Sequence, residues 1–335
     1  MMSTRVFVAI TDAEFDRLYD EPTRARLAAL GEVVRGETVD GRAQVPADVA
    51  SEFDVLITSW STAPFDPAIL AGPRLRLAVH SAGSVRGLFP EAALDGGFRL
   101  AQGGSDAMAL AVAEMTLALA LAQLRNVVWH DRRLQQSRDW RTGGFGVLGQ
   151  SIAAQRIGVV SLSRVGRHFV AMVRALGATQ VRAYDPYATA ESAAEIGVEL
   201  CSLDELCRTS DVLSILAPAT PETEGMLGAE HFALLPDNAI VINTARAQVT
   251  DEQALLAEVQ SGRLRVALDV FTNEPLDPDS GFFGHENAIL MPHVAGGTVQ
   301  ARFAQGAHVV DEVAGFLRDG TLLSEVTAEN YHRLG

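Results

Sequence analysis

Short apolar runs alternate with segments of helical periodicity along the first hundred residues. The runs Val6–Ile10, Val55–Thr58 and Leu75–Val79 are flanked by Asp, Pro and Gly, which is typical of β-strands. The segments Asp12–Leu30 and Phe65–Leu70 carry apolar residues at helical spacing. This alternation predicts a parallel sheet covered by helices, because parallel strands are joined through helical crossovers.

A more regular alternation follows in the second half of the chain. Six further apolar runs are predicted as strands, namely Ile157–Ser161, Val181–Tyr184, Val212–Leu216, Ala239–Asn243, Val266–Val270 and Ala288–Met291. Helices are predicted between most of them and elsewhere, for example at Ala107–Leu124, Gly166–Leu176, Leu203–Arg208, Asp251–Ser261 and Gln300–Leu317. Six strands with crossover helices favour a complete doubly wound nucleotide-binding unit. Ser137–Ser151 is polar and glycine-rich, as expected of a connection.

Composition and charge narrow the possible functions. The chain has 335 residues, enough for two domains, and a formal charge of −15, which argues against a nucleic-acid partner. All 27 basic residues are arginine, so a Schiff-base lysine and a Walker-type lysine are both excluded. Only two cysteines are present, Cys201 and Cys207, and neither a disulfide framework nor a metal site is predicted.

The apolar run Ala107–Leu124 approaches the length of a membrane span. It contains Glu114 and Gln123, however, and a carboxylate at the centre of a bilayer costs about 2.5–3.5 kcal/mol. We therefore expect a buried helix in a core or a subunit interface, and no membrane partner. The N-terminal segment is predicted to be a strand rather than a signal peptide, so we expect a cytoplasmic protein.

The stretch Ser161-Leu162-Ser163-Arg164-Val165-Gly166 stands where a dinucleotide-binding G-x-G-x-x-G loop would be expected, between a strand and a helix. Its third glycine is present as Gly166, but serines replace the first two. The serine hydroxyls could donate to a phosphate, and the helix N-terminus offers free N–H groups. Asp185 follows the next strand, 22 residues after Ser163, where a carboxylate would bind ribose hydroxyls and repel a 2′-phosphate. On its own, this loop does not distinguish a functional cofactor site from a degenerate one or from a chance resemblance.

Four downstream segments are more specific. They are "DVLSILAPATPETEGML", "LLPDNAIVINTARAQVTDEQALLAEVQSGRL", "ALDVFTNEPL" and "MPHVAGGT", and weaker matches lie upstream in "HSAGS", "AVAEMTLAL" and "RVGR". In order and approximate spacing they resemble the D-isomer-specific 2-hydroxyacid dehydrogenases, the family of phosphoglycerate and D-lactate dehydrogenases. The resemblance implies NAD-dependent interconversion of a 2-keto acid and a D-2-hydroxy acid by hydride transfer.

The resemblance implies three catalytic positions. Arg246 would bind the carboxylate and keto oxygen of the substrate, a task suited to the planar guanidinium fork. His293 would be the general acid and base, and Glu274 would orient its imidazole. His293 would also contact both cofactor and substrate. The backbone of Ala82, Gly83 and Ser84 is expected to bind the substrate carboxylate, although "HSAGSVRG" lacks the aspartate usual in that loop and carries His80 and Arg86 nearby.

The resemblance also implies a set of cofactor contacts. Ser163, Arg164 and Val165 would lie at the pyrophosphate and Asp185 at the adenine ribose, which favours NAD over NADP. Thr244 and Ala245 would lie beside the nicotinamide ribose, Asp269 at the carboxamide, and Gly296 close to the ring. Arg246 is also expected among the cofactor-binding residues.

The implied fold consists of two doubly wound parallel-sheet domains. A Rossmann NAD-binding domain, residues 104–300, would be inserted in a flavodoxin-like substrate domain of residues 1–103 and 301–335. The helix Ala107–Leu124 and Trp140 would suit the interface of a homodimer. Two alternatives remain open: a non-catalytic dinucleotide-sensing protein of the same fold, and a formate or phosphite dehydrogenase. Glu274 counts against the formate enzymes of the family, which carry glutamine at that position.

Overall fold

The computed structural model describes residues 4–332, and the chain divides into two compact units. The first unit contains residues 1–108 and 297–335, of which 1–3 and 333–335 lie outside the described part. The second unit contains residues 109–296 and is therefore inserted in the first along the sequence.

Strands and helices alternate along most of the described chain. The first segment contains β1 (Arg5–Ala9), α1 (Asp12–Leu18), α2 (Glu21–Ala28), β2 (Glu32–Arg35), β3 (Thr38–Val39), β4 (Arg42–Ala43), α3 (Val49–Glu52), β5 (Val55–Thr58), β6 (Leu77–His80) and β7 (Arg99–Gln102). The middle segment contains α4 (Asp106–Leu124), α5 (Val127–Ser137), β8 (Arg156–Val160), α6 (Arg164–Ala175), β9 (Gln180–Tyr184), α7 (Ala190–Ala194), β10 (Glu199–Leu200), α8 (Leu203–Thr209), β11 (Val212–Ile215), α9 (Ala229–Leu234), β12 (Ile240–Asn243), α10 (Glu252–Ser261), β13 (Arg265–Leu268) and β14 (Ala288–Leu290). The last segment contains α11 (Val299–Asp319) and β15 (Glu325–Val326).

The main sheet of the first unit has the order β15-β7-β6-β5-β1-β2. All neighbours pair in parallel except β15, which runs antiparallel to β7. Without β15, and with the small β3–β4 hairpin set aside, the order is 2-1-3-4-5, as in flavodoxin-like folds. Alternate residues of β1 enter different cores, Val6 and Val8 on one face and Phe7 and Ala9 on the other, so the sheet is covered on both sides.

The sheet of the second unit has the order β10-β9-β8-β11-β12-β13-β14, and all of its strands are parallel. Counted from β8, this is 3-2-1-4-5-6-7, the doubly wound dinucleotide-binding order with one strand added. The strands read as continuous apolar runs because both faces are buried: Ile157 and Val159 of β8 pack on one side, and Val160 on the other. The predicted fold class is thus confirmed.

Several predicted elements differ from the structure. The helix expected over Asp12–Leu30 is two helices, because Asp20 caps a new helix by accepting from the Thr23 amide and Pro22 occupies its first turn. Phe65–Leu70 forms only a short 3-10 turn at Pro67–Leu70. The strands β2, β7 and β10 and the helix α5 were not predicted, since they are short or poorly buried elements with weak sequence patterns.

The helix α4 is the only helix among residues 4–332 that is long and apolar enough to span a membrane. Ala113, Leu119 and Ala120 are nevertheless buried in the core of the second unit. Gln123, also buried, donates from Nε2 to the Val266 carbonyl at 2.5 Å. These contacts are those of a core helix, as the sequence predicted.

Candidate active site

The predicted residues of the second unit follow five strands at one edge of its sheet. The serine loop follows β8 and Asp185 follows β9, while Arg246, Asp269 and His293 follow β12, β13 and β14. These last three strands are adjacent and parallel, so their carboxyl ends lie side by side. Ligands of doubly wound sheets bind at this edge.

His293 and Glu274 form a direct pair. The imidazole Nδ1 of His293 lies 2.6 Å from Oε2 of Glu274, and both side chains are roughly half exposed. The other carboxylate oxygen accepts from the Phe271 amide at 3.0 Å, which orients the carboxylate. Because a carboxylate accepts, Nδ1 carries a proton, and Nε2 is left as the ring nitrogen that can exchange a proton with a ligand.

Asp269 fixes the backbone that follows the histidine. Its side chain is fully buried, and its two oxygens accept from the amides of Val294 and Ala295, both at 2.8 Å. Burial raises the pKa of Asp269, while these two hydrogen bonds and the nearby His293 act in the opposite direction. His293 itself has φ +53°, a left-handed conformation uncommon outside glycine. Asp269 therefore holds the turn that presents the imidazole, in addition to the carboxamide contact predicted for it.

Arg246 stands at the end of a turn that a buried asparagine closes. Asn243, the last residue of β12, donates from Nδ2 to the Arg246 carbonyl at 3.0 Å and accepts at Oδ1 from the Ala245 amide at 3.1 Å. The Arg246 guanidinium, partly buried, donates to the Ala245 carbonyl at 2.7 Å. Asn243 was not identified from the sequence, although an asparagine that ends an apolar strand is a common turn signal.

Thr244 belongs to a buried hydroxyl chain. Its Oγ1 lies 2.7 Å from Oγ1 of Thr116, which donates to the Val112 carbonyl at 2.8 Å. Because the Thr116 proton is used in that bond, the Thr244 hydroxyl is the donor between the two. The chain anchors the turn after β12 to α4, and Thr116 is a second residue that sequence reasoning missed.

Ser161 adopts the backbone conformation for which a glycine is normally required. Its φ is +78°, and its hydroxyl donates to Oδ2 of Asp185 at 3.3 Å. The amide of Leu162 donates to the same oxygen at 2.7 Å. The tight turn is thus retained without the first glycine, and Asp185 stabilises it from the neighbouring strand.

Ser163 is the N-cap of α6. Its hydroxyl accepts from the Gly166 amide at 3.2 Å and donates to the Leu216 carbonyl at 2.9 Å. The expected donation of a serine hydroxyl to a phosphate therefore does not hold for Ser163, whose proton is already used within the protein. Gly166 fulfils the role of the third glycine, since a Cβ there would lie 2.2 Å from the Ser161 carbonyl oxygen. Arg164 and Val165 form the first turn of α6.

Asp185 has a carboxylate with several partners. Besides the two donors from the serine loop, it accepts at Oδ1 from the Tyr187 amide at 2.8 Å. A carboxylate has about four lone-pair directions, so these three bonds leave acceptor capacity for a ligand hydroxyl. Sequence reasoning placed Asp185 at the correct strand end but did not foresee its part in holding the loop.

The predicted substrate loop Ala82–Ser84 follows β6 in the first unit. Ala82 is fully buried, and its amide donates to the His80 carbonyl at 2.7 Å. His80 is buried and bonds to Thr58 through Nδ1 at 2.9 Å; burial lowers the pKa of His80 to about 4, so the ring is neutral at pH 7. Arg86 donates to the carbonyls of Tyr331 and His332 near the end of the chain. Each of these two polar neighbours thus has a structural contact within the unit.

The model for the NAD-binding domain of the D-isomer-specific 2-hydroxyacid dehydrogenases matches residues 117–295, more than half of the chain. The chain belongs to this family. Its similarity to D-3-phosphoglycerate dehydrogenase of Mycobacterium leprae is 34% identity over 297 residues, which is 88% of this chain and 55% of that protein. The D-3-phosphoglycerate dehydrogenase of Methanocaldococcus jannaschii is 33% identical over 267 residues, which is 79% of this chain and 50% of that protein. The chain spans about half the length of these curated relatives.

Solved structures of this dehydrogenase family share the fold over nearly the whole chain. A D-2-hydroxyisocaproate dehydrogenase matches with a TM-score of 0.83 at 23% identity, over 97% of this chain and all of that one. An NADPH-dependent glyoxylate/hydroxypyruvate reductase of Sinorhizobium meliloti, in complex with NADP and malonate, matches with a TM-score of 0.78 at 25% identity, over 98% of both chains.

The second unit fits the dinucleotide that this family binds. A tight turn at Ser161 leads directly into the 12-residue helix α6, and the contact of Gly166 with that turn leaves no space for a Cβ. Amides at such a helix start can bind a pyrophosphate. Asp185 lies at the end of the adjacent strand with spare acceptor capacity. Ser163 caps α6, which begins with Arg164 and Val165; Thr244 and Ala245 follow β12, and Gly296 lies in the turn after His293.

Proposed function

We propose that this protein is an NAD-dependent dehydrogenase that interconverts a 2-keto acid and a D-2-hydroxy acid. The observation that carries the proposal is the Glu274–His293 pair, which leaves Nε2 of the imidazole available for proton transfer. When bound, the nicotinamide supplies or accepts the hydride. In the reducing direction, protonated His293 gives its Nε2 proton to the carbonyl oxygen of the substrate, and Glu274 stabilises the imidazolium before that transfer.

Arg246 is proposed to bind the substrate carboxylate and keto oxygen. A guanidinium can donate to two oxygens in one plane, which also polarises the carbonyl toward attack. The Asn243 side chain donates to the Arg246 carbonyl and accepts from the Ala245 amide, so the Arg246 side chain starts from a fixed backbone. In the first unit, the backbone amides of Gly83 and Ser84 remain proposed to bind the substrate carboxylate, whereas the amide of the buried Ala82 is already bonded to the His80 carbonyl.

NAD is proposed as the preferred cofactor over NADP. The Asp185 carboxylate would accept from ribose hydroxyls and would repel a 2′-phosphate at the same position. The solved reductase of Sinorhizobium meliloti is described as NADPH-dependent, so the preference is a property to be tested on this chain.

The catalytic roles are tested by His293→Ala with NADH and a panel of 2-keto acids. We expect turnover, followed at the nicotinamide absorbance band, to be nearly abolished. The Kd for NADH, measured by fluorescence titration, should stay close to that of the wild type because the adenine half is untouched. Arg246→Lys should lower turnover almost as much as Arg246→Ala, since an ammonium group cannot donate two hydrogen bonds in the planar, bidentate geometry of a guanidinium. Unchanged turnover in His293→Ala would refute the assignment.

A cytoplasmic homodimer is the proposed state of the protein. The helix α4 is about half buried. The segment after α5 also exposes large apolar side chains, namely Trp140 (66% exposed), Phe145 (68%) and Leu148 (87%). Clusters of exposed apolar residues are typical of subunit interfaces. Sedimentation of wild type and Trp140→Ser/Leu148→Ser tests this: a dimer is expected for the wild type and monomer for the variant.

The non-catalytic alternative has less support. The relatives and solved structures named above all carry enzyme names. The three residues proposed for catalysis, Arg246, Glu274 and His293, are also all present, and they follow neighbouring strands at one edge of the sheet. NADH binding without turnover of any 2-keto acid would favour the dinucleotide-sensing function instead.

A further inference from the structure

The substrate loop Ala82–Ser84 is fixed on the side where it leaves β6. The Ala82 amide donates to the His80 carbonyl at 2.7 Å, and the Ala82 carbonyl accepts from the Gly103 amide at 3.1 Å. The amides of Gly83 and Ser84, in contrast, form no hydrogen bond with any residue that the structure describes. Neighbouring backbone N–H groups of this kind are suited to an anionic ligand, which is the role proposed above for these two amides.

The other side of the loop is held by residues near the end of the described chain. Tyr331 is buried in the same apolar cluster as Val85 and Phe89. Its hydroxyl donates to the Phe89 carbonyl at 2.8 Å. Arg86 donates in the opposite direction, to the carbonyls of Tyr331 and His332. The segment that follows the loop is therefore bound through its backbone, through its apolar side chains and through its arginine.

The C-terminal anchor, Tyr331 and His332, is itself fixed to the sheet. It follows β15, which pairs with β7, the neighbour of the strand β6 that leads into the loop. Asn330 closes the intervening turn, because Oδ1 accepts from the Thr327 amide at 2.8 Å and Nδ2 donates to the Glu325 carbonyl at 2.9 Å. The anchor thus holds the segment after the loop from a defined position in the same unit.

We propose that the C-terminal anchor positions the substrate loop for binding the 2-keto acid, without touching the substrate itself. Gly83 and Ser84 lie between the fixed Ala82 and the anchored segment 85–89, so both of their flanks are restrained. A loop that adopts its binding conformation for only a fraction of the time binds with an affinity reduced by that fraction. The anchor raises the affinity by restricting the loop to one conformation. The inference rests on the function proposed above.

Tyr331→Phe is the most specific test, because it keeps the packed ring and removes only the bond to the Phe89 carbonyl. The KM for the best 2-keto acid should rise about three- to tenfold. Since the loop acts on binding and not on hydride transfer, kcat per NADH-binding site should stay within about twofold. The Kd for NADH should not change, because the serine loop and Asp185 belong to the second unit.

Arg86 tests the same anchor from the side of the loop. Arg86→Met removes the donors to the two carbonyls of the anchor and should raise KM about tenfold. Arg86→Lys should recover part of this loss, because an ammonium group still donates to a carbonyl.

Hydrogen exchange of the peptides that cover residues 82–91 gives a readout that does not require turnover. We expect faster exchange there in Tyr331→Phe and Arg86→Met, with the peptides of the second unit unchanged. A merely structural role of the anchor predicts a different result, namely a smaller active fraction with a lower kcat at an unaltered KM.

Glu329→Gln is the matched control. Glu329 lies two residues before Tyr331, is exposed, and forms no hydrogen bond or ion pair within the described part of the chain. Its variant should have the KM and the exchange rates of the wild type.

An unaltered KM in Tyr331→Phe, or unaltered exchange of residues 82–91, would overturn the proposal if the wild type is active. A raised KM in Arg86→Met alone would also overturn it, because Arg86 would then act on the substrate directly. If Tyr331→Phe does not fold, unaltered exchange in Arg86→Met overturns the proposal equally. A wild type that binds NADH but reduces no 2-keto acid would instead refute the proposed function, and this inference with it.

Discussion

Ser161 offers a quantitative test of how the nucleotide loop is built. Its φ of +78° costs a residue with a Cβ about 1–2 kcal/mol, and its hydroxyl bond to Asp185, at 3.3 Å, returns about 0.5–1.5 kcal/mol. Ser161→Ala removes the bond and keeps the strain, so the free energy of unfolding should fall by about 1 kcal/mol. Ser161→Gly removes both, but glycine adds about 0.5–1 kcal/mol of unfolded-state entropy.

The glycine variant should therefore be more stable than the alanine variant by about 0.5–1 kcal/mol, and within about 0.5 kcal/mol of the wild type. The two variants are compared by urea unfolding in a Trp60→Phe background, where the remaining tryptophans report on the second unit. The NADH affinity of Ser161→Gly should stay within about threefold, because the Leu162 amide still bonds to Asp185.

Ser151 is the matched control. It lies in the same unit with φ −88° and makes no side-chain capping bond. Since that conformation suits any residue, Ser151→Gly should be less stable than Ser151→Ala by about 0.5–1 kcal/mol. The order of the glycine and alanine variants should thus reverse between the two serines. An alanine variant of Ser161 as stable as its glycine variant would refute the strained-turn account.

Four further predictions concern the site and its supports. Glu274→Gln should lower kcat/KM about 10- to 100-fold, because one amide oxygen cannot accept from both the Phe271 amide and His293 Nδ1, which the two carboxylate oxygens now bind. Glu252→Gln, at the start of α10, is the control and should have a kcat/KM close to that of the wild type in the same steady-state assay. Asp269→Asn should lower the free energy of unfolding by about 1–3 kcal/mol and slow turnover, since the new NH₂ group would face the amide of Val294 or Ala295. Calorimetry measures the first effect and steady-state kinetics the second. Burial lowers the pKa of His80 from 6.5 to about 4, so between these pH values the histidine takes up a proton when the protein unfolds. The free energy of unfolding should therefore fall by up to about 3 kcal/mol as the pH drops from 6.5 to 4. Melting curves of His80→Gln should lack this pH dependence. Asp185→Ser should narrow the kcat/KM preference for NADH over NADPH, and equal use of both cofactors by the wild type would reject the ribose assignment.

The fold was largely predictable because burial on both faces of a parallel sheet leaves a plain record in the sequence. The runs at Ile157–Ser161 and Val212–Leu216 are apolar over most of their length, and both are central strands. The split of the predicted helix Asp12–Leu30 depended on one cap, Asp20, within a pattern that otherwise continues. The two-residue strand β10 is too short to leave a pattern.

The site was predictable as a set of strand ends but not as a set of contacts. Arg246, Glu274 and His293 were assigned through a resemblance of motifs, and the pairing of the last two is visible in the structure. The donors and acceptors around them were not predictable, because they join residues far apart in sequence. Asp269 supports the turn after His293 from another strand, and the Ser163 hydroxyl is used by a carbonyl 53 residues away.

The most direct test of the proposed reaction is the chirality of its product. Wild-type protein is incubated with NADH and a panel of 2-keto acids, and the hydroxy acids formed are resolved by chiral chromatography while NADH absorbance is followed. We expect NADH oxidation with at least one 2-keto acid and formation of the D-hydroxy acid alone. Formation of the L-acid, or no oxidation across the panel by protein that binds NADH, would contradict the proposed function.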